Sequence, residues 1–169
     1  MSDIHFILTG GTIEKAYDPL TEKPEFKHRS ILPEYLQDII KVYTTLNFET
    51  VAQIDSADMC DAIRKKIVKA VDATTAQHIV IVHGTSTMEV TAQYLATNLK
   101  STGKTIILTG AMIPLKEFAM SDGGFNLGYA IAQVQTAPVG VYIAMNAQLF
   151  SAGDVTKDTQ QGRFVSVEE

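Results

Sequence analysis

His78-Ile79-Val80-Ile81-Val82-His83-Gly84-Thr85-Ser86-Thr87-Met88 decides the fold, because four β-branched apolar residues lead through one histidine into a glycine and three small hydroxyl residues. An apolar run of this length without alternation is what a strand buried on both faces of a parallel sheet requires. The same grammar stands near the N-terminus, where the run Ile4 to Leu8 leads into Thr9-Gly10-Gly11-Thr12. Glycine lets the backbone adopt φ > 0 or approach a ligand without a Cβ in the way, which makes Gly11 and Gly84 candidate substrate contacts. In open α/β sheets ligands collect beyond the carboxyl ends of the strands. Two hydroxyl-bearing turns at two strand ends therefore form a candidate nucleophile site.

Working outward, β-like runs at Ile4 to Thr9, Phe48 to Ile54, His78 to Val82, Thr105 to Thr109 and Val139 to Met145 alternate with helical stretches. This is the βαβ pattern, and it predicts a three-layer α/β/α fold with a mainly parallel sheet. After Ser56, which reads as a helix N-cap, Met59, Ile63, Ile67 and Val71 fall on one helical face. A second helix is predicted from about Thr87 to Lys100, with Met88, Thr91, Ala92, Leu95 and Leu99 inward, and a third from near Asn126. Pro33 to Val42 reads as a further helix with proline early, where a missing N–H costs little. The piece before it, Glu14 to Arg29, is polar, holds Pro19 and Pro24, and shows no sustained apolar period. It reads as a long surface loop, 14–29, of the kind that serves as a mobile lid. Beyond Lys157 only a weak strand, Phe164 to Val167, is expected.

Composition bounds the function. The 169 residues suffice for one domain, 1–169, and 46% hydrophobic with 20% charged residues excludes a disordered chain. A formal net charge of −5 with no long basic run argues against nucleic acid, whose binding rests on phosphate neutralisation. No long apolar stretch marks a membrane segment or a secretory leader, so a cytoplasmic protein with a small-molecule partner is expected. The lone Cys60 excludes an intramolecular disulfide, and the four histidines lack metal-ligand spacing, so no metal and no cofactor are expected.

Nucleotide binding fails on spacing. Gly10-Gly11 lacks the third glycine of a dinucleotide fingerprint, and no acidic residue follows at the end of a second strand. Gly103-Lys104-Thr105 resembles the end of a phosphate loop, but Asn98 stands where that motif needs glycine, and the triplet precedes a strand. A nucleophilic Thr12 needs a base, since a hydroxyl must lose its proton as it attacks. No Ser-His-acid signature supplies one. Lys157, in Ser151-Ala152-Gly153-Asp154-Val155-Thr156-Lys157, is the candidate, because a lysine buried beside a hydroxyl can act as a base.

These motifs together resemble the bacterial-type L-asparaginases, specifically their larger N-terminal domain. The resemblance rests on Thr9-Gly10-Gly11-Thr12-Ile13, Asp55-Ser56-Ala57-Asp58-Met59, His83-Gly84-Thr85-Ser86-Thr87-Met88, Thr109-Gly110-Ala111-Met112-Ile113-Pro114, Ser121-Asp122-Gly123-Gly124-Phe125-Asn126-Leu127 and Gly153-Asp154-Val155-Thr156-Lys157. It runs from residue 4 to about residue 160, which implies a single domain with no second, smaller one. It implies a flavodoxin-like arrangement, assembly as a homodimer or higher homo-oligomer, and an amidohydrolase that cleaves L-asparagine to L-aspartate and ammonia through an acyl-threonine. On this resemblance Thr12 is the nucleophile, Thr85 and Lys157 handle protons, and Tyr17 in the polar loop hydrogen-bonds Thr12. Ser56 lies where the substrate's α-carboxylate is read, with Asp55 and Asp58 flanking it as the candidate acids for the α-ammonium, the Ala111 carbonyl receives the amide nitrogen, and N–H groups near Thr85 face the oxyanion. Ser86 departs from the pattern, which has an aspartate there to pair with the α-ammonium. A charged hydrogen bond of that kind contributes roughly 1.5 to 3 kcal/mol, so substrate choice relaxed toward glutamine or other amides, or a non-catalytic amino-acid-binding domain, are the alternatives.

Overall fold

The computed structural model describes residues 3–100, 103–116 and 119–167. Its elements run β1 (Ile4–Gly10), β2 (Lys15–Asp18), β3 (Lys23–Phe26), a short π-helix (Glu34–Ile39), β4 (Leu46–Ile54), α1 (Asp61–Ala73), β5 (His78–Val82), α2 (Met88–Asn98), β6 (Thr105–Thr109), α3 (Gly123–Val134), β7 (Gly140–Met145), β8 (Gln148–Ser151), β9 (Thr156–Asp158) and β10 (Arg163–Val165). Six strands form one sheet in the order β4-β1-β5-β6-β7-β8. The first five are parallel, and β8 closes the edge antiparallel to β7. Leaving aside the β2–β3 hairpin, the parallel strands follow the flavodoxin-like order 2-1-3-4-5.

The apolar runs explain the layering. Successive side chains on a strand point to opposite faces, so a continuous run feeds two cores at once. Ile7, Ile79, Ile81, Ile106, Leu108 and Ile143 pack on one face with Ile67, Ala70 and Val71 of α1 and Met88, Ala92 and Leu95 of α2. Ile4, Phe6, Leu8, Val80, Val82 and Ile107 pack on the other with Leu36 of the π-helix and Leu127, Ala130 and Val134 of α3. The three-layer α/β/α class expected from the sequence is the observed one.

Several boundaries differ from expectation for physical reasons. Ser56 does not cap α1, which begins at Asp61 behind Cys60; Ser56 opens a separate 3-10 turn, and its hydroxyl accepts a bond from the Ser86 N–H at 3.0 Å. The helix predicted over Pro33 to Val42 closes as a π-turn, with Ile40 N–H bonding Tyr35 O. The stretch 14–29, read as a loop, contains the antiparallel hairpin β2–β3, with Tyr17 opposite Pro24. It shows no long apolar period because it stands outside the main sheet and fully buries only Ala16 of its strand residues. Its proline is tolerated because a two-stranded ribbon consists of edges. The strands β8 and β9 lie outside the runs that the sequence marks as strands. β8 follows β7 through Asn146 and Ala147, both at positive φ (56° and 61°), the geometry of a two-residue hairpin turn.

Candidate functional site

The strand order reverses direction at β1, since β4 lies on one side of it and β5 on the other. The crevice at such a switch point, at the carboxyl ends of β1 and β5, is where open α/β sheets take ligands. Both hydroxyl-bearing turns emerge there. Gly11, at φ 85°, leaves no space: a Cβ on it stands 2.6 Å from both Cα and N of Gly84. A Cβ on Gly84 in turn stands 2.7 Å from Ser56 Cβ and 2.8 Å from Ser56 Oγ. The glycines thus bring three loops into backbone contact, those carrying Thr12, Ser56 and Thr85.

Within this cluster Lys157 Nζ donates to Thr85 Oγ1 at 2.8 Å, across 72 positions of sequence. The Thr85 hydroxyl directs its own proton to Met112 Sδ at 3.4 Å. Lys157 reaches the site from β9, which pairs with β10 in a second small hairpin. Thr85 and Ser56 are buried, Thr12 and Lys157 are half-buried, and Ser86 is exposed. Tyr17 stands on the β2–β3 hairpin with 44% of its surface exposed. Ala111 is buried beside Met112, whose N–H, with that of Ile113, donates to the Asp122 carboxylate at 3.0 to 3.1 Å. Asp55 does not face an empty site: its Oδ2 receives Lys15 Nζ at 2.8 Å.

Three supporting features had no clear signal in the sequence. Behind Thr85, the buried His83 is held by a directional chain. Arg64 Nε donates to Thr91 Oγ1 (3.1 Å), so the Thr91 hydroxyl donates to His83 Nε2 (2.9 Å) and His83 Nδ1–H donates to Gly84 O (2.7 Å). Burial lowers the His83 pKa to about 4, reinforced by the Arg64 charge and opposed by the Gly84 bond. The imidazole is therefore neutral and structural at ordinary pH. Asn126 ties Gly110 O and the Asp122 carboxylate to the Asn146 N–H, joining the β6 turn, α3 and the β7–β8 turn. Glu14, two residues after Thr12, is buried; its Oε1 accepts from Ser30 at 2.5 Å, and Oε2 has no partner. Two open concavities lie elsewhere, one of about 390 Å³ between the β7–β8 hairpin and β10, another of about 820 Å³ between β4 and the segment 27–34. Neither lining contains Thr12, Thr85 or Lys157, and the chemistry of the side chains, not the size of the hollow, marks the site. Among the described residues no group of three or more His, Cys, Asp or Glu is placed to hold a metal ion.

Fold and site define a flavodoxin-like α/β/α domain that gathers a Thr–Lys pair and a second threonine at its topological switch point. A family model described as "Asparaginase, N-terminal" matches residues 3–166, and the chain belongs to that family. It is 34% identical over 175 residues to "L-asparaginase 1" of Escherichia coli strain K12, covering 94% of this chain and 48% of that protein. It is 32% identical over 164 residues to "Probable L-asparaginase periplasmic" of Haemophilus influenzae, covering 93% and 46%. Among solved structures it resembles a probable cytoplasmic L-asparaginase from Campylobacter jejuni, at TM-score 0.84 and 32% identity, covering 98% of this chain and 53% of that one. A "Glutaminase-asparaginase" of Pseudomonas aeruginosa is 30% identical over 169 residues, covering 93% and 46%. The chain spans about half the length of the curated relatives it matches. No helix among the described residues is long and apolar enough to cross a membrane.

Proposed function

We propose that this chain is an amidohydrolase that releases ammonia from a side-chain amide, with L-asparagine as the first substrate to test and Thr12 as the nucleophile. The observation that carries the reading is the 2.8 Å Lys157–Thr85 bond, held beside the Thr12 turn by the Gly11–Gly84 contact. Thr12 Oγ attacks the amide carbon and forms a C–O bond, and its proton passes to the Thr85–Lys157 pair. The C–N bond then breaks, and the nitrogen leaves as ammonia with that proton. Water next adds to the ester, the acid product departs, and Thr12 recovers its hydroxyl. Ser56 accepts its bond from Ser86 N–H and keeps its own proton for a substrate carboxylate. The Ala111 carbonyl meets the amide nitrogen, and backbone N–H groups near Thr85 stabilise the oxyanion. Tyr17 is carried by a hairpin that closes over Thr12 and excludes water, the mobile lid of this reading.

Ammonia release from asparagine by the purified chain tests this directly. Thr12→Ala is expected to lower kcat by about a thousandfold or more while the circular dichroism stays unchanged, since a nucleophile has no substitute. A folded Thr12→Ala protein with the wild-type rate removes Thr12 from the role. Glutamine is the second amide to assay, because the family includes a protein named glutaminase-asparaginase. The same reading places the chain in the cytoplasm as a homodimer or higher homo-oligomer, to be checked by fractionation and sedimentation.

A further inference from the structure

We propose that the site selects amides that carry a carboxylate but no α-ammonium, and that Lys15 sets this preference; the proposal rests on the amidohydrolase reading above. An α-ammonium entering the Thr12–Ser56–Thr85 cluster needs a carboxylate to receive it. Ser86 offers a neutral hydroxyl, and its backbone N–H is already committed to Ser56 Oγ at 3.0 Å. The loop that carries Ser56 holds two carboxylates, Asp55 and Asp58. Asp55 is taken by the chain's own ammonium, Lys15 Nζ, at 2.8 Å.

Lys15 is not a loose surface charge. Its side chain is only 18% exposed, it begins β2 opposite Phe26, and its ammonium lies 5.1 Å from the centroid of the Phe26 ring. A substrate ammonium therefore has to displace an ammonium that the hairpin holds in place. Asp58 does not replace Asp55. In a 3-10 turn, positions two apart point about 120° away from each other, so with Ser56 buried toward Gly84 the exposed Asp58 faces solvent. On the Ser56 loop an incoming α-ammonium thus meets the Lys15 ammonium at Asp55 and a carboxylate at Asp58 that is turned away, whereas a lone carboxylate meets the Ser56 hydroxyl with the Lys15 cation nearby. The substrate class is the monoamide of an unsubstituted dicarboxylic acid, with succinamate as the probe and succinate as the product analogue.

Calorimetric binding of succinate and aspartate, with hydrolysis of succinamate and asparagine measured alongside, tests this. Wild type is expected to bind succinate at least as tightly as aspartate. Lys15→Met, which keeps an apolar stem over Phe26 and frees Asp55, is expected to shift the ratio toward aspartate by about tenfold or more, and Ser86→Asp to do the same independently. Aspartate bound about tenfold more tightly than succinate by wild type overturns the proposal. So does an unchanged ratio in both variants, loss of aspartate binding alone in Asp58→Asn, or binding of neither acid at millimolar concentration. Binding is read without turnover, so succinate bound with no ammonia released from either amide sinks the amidohydrolase reading and leaves the selectivity standing.

Discussion

Glu14 places a carboxyl group where the chain can hardly solvate it. Burial raises its pKa above the ordinary 4.5, and the hydrogen bond from Ser30 only partly opposes that. The folded chain therefore holds the proton more tightly than the unfolded one, so Glu14's contribution is complete below about pH 4.5 and is lost as the pH rises through the folded value. Glu14→Gln, which removes the titration and keeps the shape, is expected to raise the urea midpoint at pH 8 and to leave it unchanged at pH 4. His83 works in the opposite sense. Its folded value of about 4 lies below the ordinary 6.5. The unfolded chain takes up the proton first, so stability is complete above about pH 6.5 and falls as the pH drops toward 4, by on the order of 3 kcal/mol from this group. In His83→Gln the slope of unfolding free energy over that window is expected to lose close to one proton; an unaltered slope counts against a buried neutral imidazole.

Elements meet here through backbone, not through long side chains. Gly11→Ala puts a methyl 2.6 Å from the Gly84 backbone at φ 85°, so the loops after β1 and β5 must separate. Strain at such a position costs on the order of 1 to 3 kcal/mol before any clash is counted, and the variant is expected to lose at least that in denaturant unfolding, with activity lost even where it folds. The Lys15–Asp55 pair is different. Asp55 is 45% exposed, and partly exposed ion pairs contribute only about 0 to 1 kcal/mol. Lys15→Met should therefore leave the melting temperature nearly unchanged, so that any altered substrate choice is not an effect of unfolding. Two-stranded hairpins are marginal alone, and β2–β3 is held at its base by Glu14–Ser30 and Lys15–Asp55, with Lys27–Asp18 bracing it along its length.

On the scale of the whole molecule, the two cores share the same strands. Ile7 and Leu8 are adjacent in β1, yet they belong to opposite clusters. Truncating either to alanine is expected to cost about 2 to 5 kcal/mol. Both should unfold in a single transition seen alike by far-ultraviolet circular dichroism and tyrosine fluorescence. Two separated transitions in either variant contradict one cooperative unit. Asn126 adds a third tie, since its amide bonds to the β6 turn and its carbonyl to the β7–β8 turn.

Local chemistry wrote much of this into the chain. The unbroken runs at Ile79–Val82 and Ile106–Leu108 can be satisfied only by strands covered on both faces, and that alone implies parallel strands under two helical layers. The glycines behind those runs mark the hydroxyl turns, the need for a base points to Lys157, and the family resemblance adds Ser56 and Ala111 as expected substrate contacts. Tertiary structure decided what has no local signature. The pairing of Lys157 with Thr85 spans 72 residues, and the diversion of the Ser56 hydroxyl from helix cap to Ser86 follows from the close approach of Gly84. The β2–β3 hairpin hides in a polar stretch because it buries so little, and β8 hides because its turn uses Asn146 and Ala147 in place of glycine. Above all, the capture of Asp55 by Lys15 is a contact between residues 40 positions apart. A sequence shows which charges a chain owns, but whether a carboxylate is free for a substrate depends on which cation the fold sets beside it.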